Sequence, residues 1–264
     1  MGEVAARDQG VATITVGVDF ASQAADTALC WLRWQDGGAT VERVEPRCPH
    51  VALAALLRQP AAKIGLDVPL GWPDGFVEGV ARHREGRPFG GFDIRRMTRR
   101  ETDNWVHDNI HQLPLSVSTD HIAYPAMKMA ALLGELPGGP VDRTGMGRFV
   151  EVYPAAALRV WQLRHRAYKG PENRSVLIDL IETLRQRCPW LDADAATWEG
   201  VTRTDHAFDA LVCALVARAQ QRGLCHPIPA GLREAATREG WIAVPQAGSL
   251  EALPGGGGAV GADR

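Results

Sequence analysis

Thr15-Val16-Gly17-Val18-Asp19 and Lys63-Ile64-Gly65-Leu66-Asp67 are two short apolar runs that end alike, in Gly-X-Asp. Each reads as a β-strand. Alternate residues of a strand share a face. Ile14, Val16 and Val18 therefore point one way, and Gly17 and Asp19 the other. Ile64, Leu66 and Val68 likewise oppose Gly65 and Asp67. Far downstream, Asp205-His206-Ala207-Phe208-Asp209 opens a strongly helical segment, where a spacing of four sets two more carboxylates on one helix face. Phe208, Val212 and Val216 continue that stripe, so these acids sit at one end of the face that packs on the sheet. Two strand-end Asp and two helix Asp are a donor set for divalent metal ions, and so point to phosphodiester chemistry.

The rest of the chain supplies the frame. Residues 1–10 read as a frayed lead-in, and Val11–Phe20 as the first strand. Thr27–Trp34 and Ala39–Val44 follow as a hairpin turned at Asp36-Gly37-Gly38. Leu53, Leu56 and Leu57 mark a helix over Val51–Leu57, ending before Pro60. Ile64–Val68 is the fourth strand, closed by Pro69. Residues 72–147 read as an insertion over one edge of the sheet, with helices near Thr98–His107 and Ala126–Leu133. Arg148–Tyr153 reads as a fifth strand stopped by Pro154, and Leu158–His165 and Ser175–Arg187 as helices. Thr204 caps a long helix running to Gly223. A short helix before Gly240 and a strand Trp241–Val244 close a single domain spanning 11–245; residues 246–264 form a Gly-rich tail expected to be disordered. No internal repeat appears beyond the echoed Gly-X-Asp.

Bulk properties narrow the classes. The 264 residues, 45% hydrophobic and 23% charged, suit one large α/β domain. No apolar run approaches the ~20 residues that span a bilayer, so no membrane partner is expected. The five cysteines are widely spaced with no CxxC pair, which argues against zinc or a disulfide framework and for a reducing cytoplasm. A net charge of −2 speaks against binding nucleic acid by bulk charge. Seven arginines nevertheless crowd positions 82 to 100. They read either as a phosphate track or, by the preferred reading, as a solvated face paired with Glu78, Glu85 and Glu101.

Three antiparallel strands, a helix, a fourth strand, a fifth strand and a final helix resemble the ribonuclease H-like fold. Acidic residues of that fold lie on the first strand, the fourth strand and the last helix, the places of Asp19, Asp67, Asp205 and Asp209. The pair of helix acids is similar to RuvC-type resolvases. More closely, the chain resembles an uncharacterised family of predicted nucleases with this fold. The runs that carry the likeness are Gly17-Val18-Asp19-Phe20-Ala21, Gly65-Leu66-Asp67-Val68-Pro69-Leu70-Gly71, Arg99-Arg100-Glu101-Thr102-Asp103, Glu151-Val152-Tyr153-Pro154, Tyr168-Lys169-Gly170 and Asp205-His206-Ala207-Phe208-Asp209-Ala210. The resemblance implies a mixed five-stranded sheet with flanking helices and a helical insertion between strands four and five. Two departures stand out: RuvC-type enzymes space their helix acids by three, not four, and Glu151 is an extra carboxylate.

Phosphodiester cleavage needs an activated water and a stabilised leaving oxyanion, which two metal ions roughly 4 Å apart provide. Mg²⁺ or Mn²⁺ is the expected cofactor, since a few carboxylates suffice for either. Asp19 is expected to bridge the ions, Asp67 to complete one, and Asp205 and Asp209 to complete the other, with the glycines leaving room for metal and phosphate. Glu151 is a candidate extra ligand or base. Lys169, Arg203, Arg99 and Arg100 are candidates for holding the phosphate, and Trp72 for stacking on a base. Each also has a structural reading. Asp205 suits a helix N-terminus, Asp67 a turn before Pro69, and Asp19 a strand end. His206 reads as a capping or packing residue, and Trp72 as loop lining. The function expected is metal-dependent hydrolysis of DNA or RNA; two-strand resolvase chemistry would call for a homodimer. The rivals are a catalytically silent binding module and an ATP-dependent phosphotransferase. The latter is disfavoured because Phe20-Ala21-Ser22-Gln23 lacks a Gly-rich phosphate loop.

Overall fold

The computed structural model of the protein describes residues 13–59 and 63–255. The lead-in expected over residues 1–10 and the last nine residues lie outside them. The sheet is built from β1 (Thr13–Asp19), β2 (Ala28–Gln35), β3 (Gly38–Glu45), then, after α1 (His50–Arg58), β4 (Lys63–Asp67). Helices α2 (Asp74–Arg84), α3 (Ile94–Thr98), α4 (Glu101–Ile110) and α5 (Ala123–Gly134) intervene before β5 (Phe149–Glu151). Next come α6 (Pro154–Val160), α7 (Arg174–Arg187), β6 (Leu191–Asp192), α8 (Ala195–Thr202), α9 (Asp205–Gln221), α10 (Arg233–Glu239) and α11 (Ser249–Ala252).

The result is an α/β fold on a mixed six-stranded sheet of order β5-β4-β1-β2-β3-β6. β1, β2 and β3 are antiparallel neighbours, whereas β4 and β5 run parallel to β1 on its other side. The sheet thus has one strand more than the five expected. Its sixth, β6, is two residues paired to Ala39 and Thr40 of β3, too short to leave a periodicity. The strand expected at Trp241–Val244 is instead an extended segment making a single parallel bridge, Ile242 to Glu151.

Period-two alternation sorts the side chains as expected. Val16, Val18, Leu29, Ile64 and Leu66 pack with α1 and α5 on one face. Cys30, Leu32, Trp34, Val41 and Val150 pack on the other with α9 and α7. The insertion is not merely an edge cover, because Ala126, Met129 and Leu133 of α5 are buried beneath the sheet. Pro154 does not simply stop β5. It occupies the first turn of α6, where a missing N–H costs nothing. Residues 247–255 also depart from the disorder expected there: α11 forms, and Leu250 and Leu253 are fully buried.

The Gly-X-Asp runs lie side by side in register, Gly17 against Gly65 and Asp19 against Asp67. The glycines do not make room for ligand, as the sequence suggested. They make room for α9. A β-carbon on Gly17 would lie 1.8 Å from Ala210 O, and one on Gly65 2.2 Å from Cys213 O. Thr15, on the same face of β1, donates from Oγ1 to Ala214 O at 3.0 Å. The helix is therefore seated directly on β1 and β4, and its N-terminus arrives at their C-terminal ends.

Candidate functional site

Asp19 ends β1 and Asp67 ends β4, at the point where the chain leaves for β2 on one side of the sheet and β5 on the other. In open α/β sheets that switch point forms the usual crevice. Asp209 enters it from the second turn of α9. Thr204 starts this helix as expected, accepting from Ala207 N–H at 3.1 Å. Carboxylate oxygens of Asp19, Asp67 and Asp209 all lie within 4.8 Å of one another. Asp209 is fully buried and Asp19 nearly so.

Three carboxylates this close are costly without positive charge. Burial, and next Asp19, push the Asp67 carboxyl well above the usual carboxylate range. Burial also raises Asp209, against the pull of Lys169. Two cations answer this charge. Lys169 Nζ lies 2.5 Å from Asp209 Oδ2, while Tyr168 donates its hydroxyl to Asp209 Oδ1 at 2.8 Å. Burial alone would lower the Lys169 ammonium, but Asp209, then Asp67 and Asp19, hold it high. His206 Nδ1 lies 2.8 Å from Asp19 Oδ2, and that bond brings the imidazole up to about 9. Asp67 has no ion pair among the described residues, so the centre retains acid character on its side.

Asp205 is not in the cluster. Successive α-helical residues turn by about 100°, and the seam against the sheet runs through His206, Asp209, Ala210, Cys213 and Ala214. Asp205 lies off it and accepts from Gly170 N–H at 3.2 Å. Residues spaced by four do share a side, but the pair that met the seam is the pair spaced by three, His206 and Asp209. This spacing, readable in the sequence, was the signal that His206 is more than packing. The Tyr168 contact had no such signal.

The remaining candidates stand elsewhere. Glu151 and Arg100 form a buried bidentate ion pair, Nη2 to Oε1 at 2.7 Å and Nη1 to Oε2 at 2.9 Å. Arg100 is 1% exposed and also holds Asp103, and Glu151 Oε2 accepts from Leu70 N–H, so neither is free for substrate or metal. Arg99 donates to Pro114 O. Arg203 ends α8, and its carbonyl accepts from Arg174. Trp72 packs with the apolar cluster on the sheet face opposite to α9. In the arginine-rich stretch, Arg87 pairs with Glu85 as expected, but Glu101 gives its N–H to Glu239 at 2.6 Å and its carboxylate has no arginine partner among the described residues.

Fold and site together define an α/β protein with a three-carboxylate cluster at the ends of adjacent parallel strands, hemmed by a lysine and a histidine. Residues 17–234 match the family model described as "Protein of unknown function (DUF429)", and the chain belongs to that family. The matched span contains Asp19, Asp67, Asp209, Lys169 and His206. No curated protein and no solved structure matches the chain.

Proposed function

We propose that this chain is a metal-dependent nuclease that hydrolyses phosphodiester bonds in DNA or RNA on a ribonuclease H-like fold. Three antiparallel strands with parallel strands beside the first support the fold part of this reading. The observation that carries the activity is the convergence of Asp19, Asp67 and Asp209 at the strand ends, with Asp67 lacking a cation of its own. An all-oxygen carboxylate set suits a hard divalent cation such as Mg²⁺ or Mn²⁺. Bound there, such an ion supplies Lewis acidity and lowers the pKa of water.

The chain's own residues do the rest. Asp19 and Asp67, with Asp209 beside them, would hold the ion. Lys169, 55% exposed, reaches in from the surface and neutralises charge on a bound phosphate. His206 keeps a proton on Nδ1 against Asp19 and thereby fixes that carboxylate. No helix among the described residues is long and apolar enough to cross a membrane; a cytoplasmic site of action is part of this proposal. Cutting two strands at once would require a homodimer.

A silent nucleic-acid-binding module is the second reading, favoured by one observation: Lys169 and His206 already pair with two of the three acids. Incubation of end-labelled single-stranded, duplex, hybrid and branched oligonucleotides with Mg²⁺ or Mn²⁺ separates the two. The nuclease reading expects cleavage by the wild type and loss of cleavage with retained binding in Asp19→Asn. Binding by the wild type without cleavage under either ion would favour the module.

A further inference from the structure

Tyr168, Lys169 and Gly170 engage both acids that a two-ion scheme assigns to its second ion. Tyr168 and Lys169 take the two oxygens of Asp209, and the Gly170 N–H takes Asp205. Gly170 adopts φ +90, a conformation that L side chains rarely adopt, so the loop that brings the lysine in depends on glycine at that point. Asp205 thus serves as a positioning residue for this loop. The geometry points to Lys169 as the permanent second cation of the site: the protein binds one divalent ion, between Asp19 and Asp67, and the lysine ammonium on Asp209 takes the place of the other. This rests on the metal-dependent reading of the site and specifies its ion count.

The charge count agrees. Three carboxylates already face two cations, Lys169 and His206, so a single divalent ion more than covers the one negative charge that remains, and a second would leave a largely buried cluster strongly positive. The ammonium is a compact point charge with three donors, and from Asp209 it is also near Asp67 and Asp19.

The test is calorimetric titration of Mn²⁺ into the metal-free protein, with electron paramagnetic resonance of the loaded sample to distinguish an isolated Mn²⁺ from a spin-coupled pair. The wild type is expected to take one ion with an uncoupled signal. Lys169→Met and Lys169→Gln are expected to take two, with a coupled signal. Two ions in the wild type would overturn the role of Lys169 and leave the metal-dependent reading intact. One ion in the wild type and still one in both variants would overturn it as well. No ion in any of the three would overturn both the inference and the reading beneath it.

Discussion

Two buried clusters of acids lie in this molecule, and they have been treated differently. Around Arg100, every acid is answered. Asp103 and Glu151 chelate the guanidinium, Glu151 also accepts from Leu70 N–H, and Glu239 accepts from the first N–H groups of α2 and α4, at Asp74 and Glu101. This node ties the insertion to β5 and to the end of α10. At the ends of β1 and β4, by contrast, three acids share two cations, and Asp67 is left with its carboxyl pushed well above its usual range. The node stabilises the fold. On the proposed reading, the triad opposes it until a divalent ion is bound. A buried acid with all its partners in place is architecture, and one short of them marks where chemistry is to be sought.

The contrast can be broken most forcefully at the node. Arg100→Met leaves Glu151 and Asp103 buried without their charge partner, and the expected loss is about 3–5 kcal/mol of unfolding free energy by urea titration. A loss below about 1 kcal/mol would show that the node does not lock the insertion. Next comes the seam that positions the triad. Gly17→Ala drives a β-carbon into the backbone of α9, and its cost should reach the upper end of the ~1–3 kcal/mol usual for overpacking.

Cation addition should act on the triad alone. Mn²⁺ at about 100 times its Kd stabilises a protein by about 2.7 kcal/mol. For a chain of this size that is a rise in Tm of roughly 5–10 °C. Differential scanning fluorimetry should find this rise in the wild type and its absence in Asp67→Asn. The smallest effect is that of His206. Its folded pKa, about 9, lies above the ordinary value of 6.5. Its pairing with Asp19 therefore stabilises fully below about pH 6.5 and is lost as pH rises through 9. Metal-free protein should lose Tm across that window, and His206→Gln should flatten the decline.

Much of this was legible in the sequence, for reasons that are local. Strand periodicity alone put Gly17 and Asp19 on one side of their strand and Gly65 and Asp67 on one side of theirs, and the apolar stripe of the last helix put Asp209 toward the sheet. What failed was long-range. Glu151 and Arg100 looked like site residues because nothing local tells an acid that is satisfied from one that is not; the partners of Glu151 are 51 and 81 residues away. Asp205 failed by rotation, since the seam chose the line through His206 and Asp209. β6 was missed because two residues carry no pattern, and the buried end at Leu250 and Leu253 was hidden by the glycines beside it.

The comparison is tested most directly by one pair of neutral isosteres, measured in metal-free buffer at pH 7. Asp67→Asn removes a carboxyl whose ionisation the folded state opposes, because burial and Asp19 raise its pKa. Glu151→Gln removes half of a satisfied bidentate pair. The account predicts opposite signs, with Tm rising in Asp67→Asn and falling in Glu151→Gln. A fall in both would mean that the triad is an ordinary structural cluster, and would contradict the assignment of the strand ends as the site.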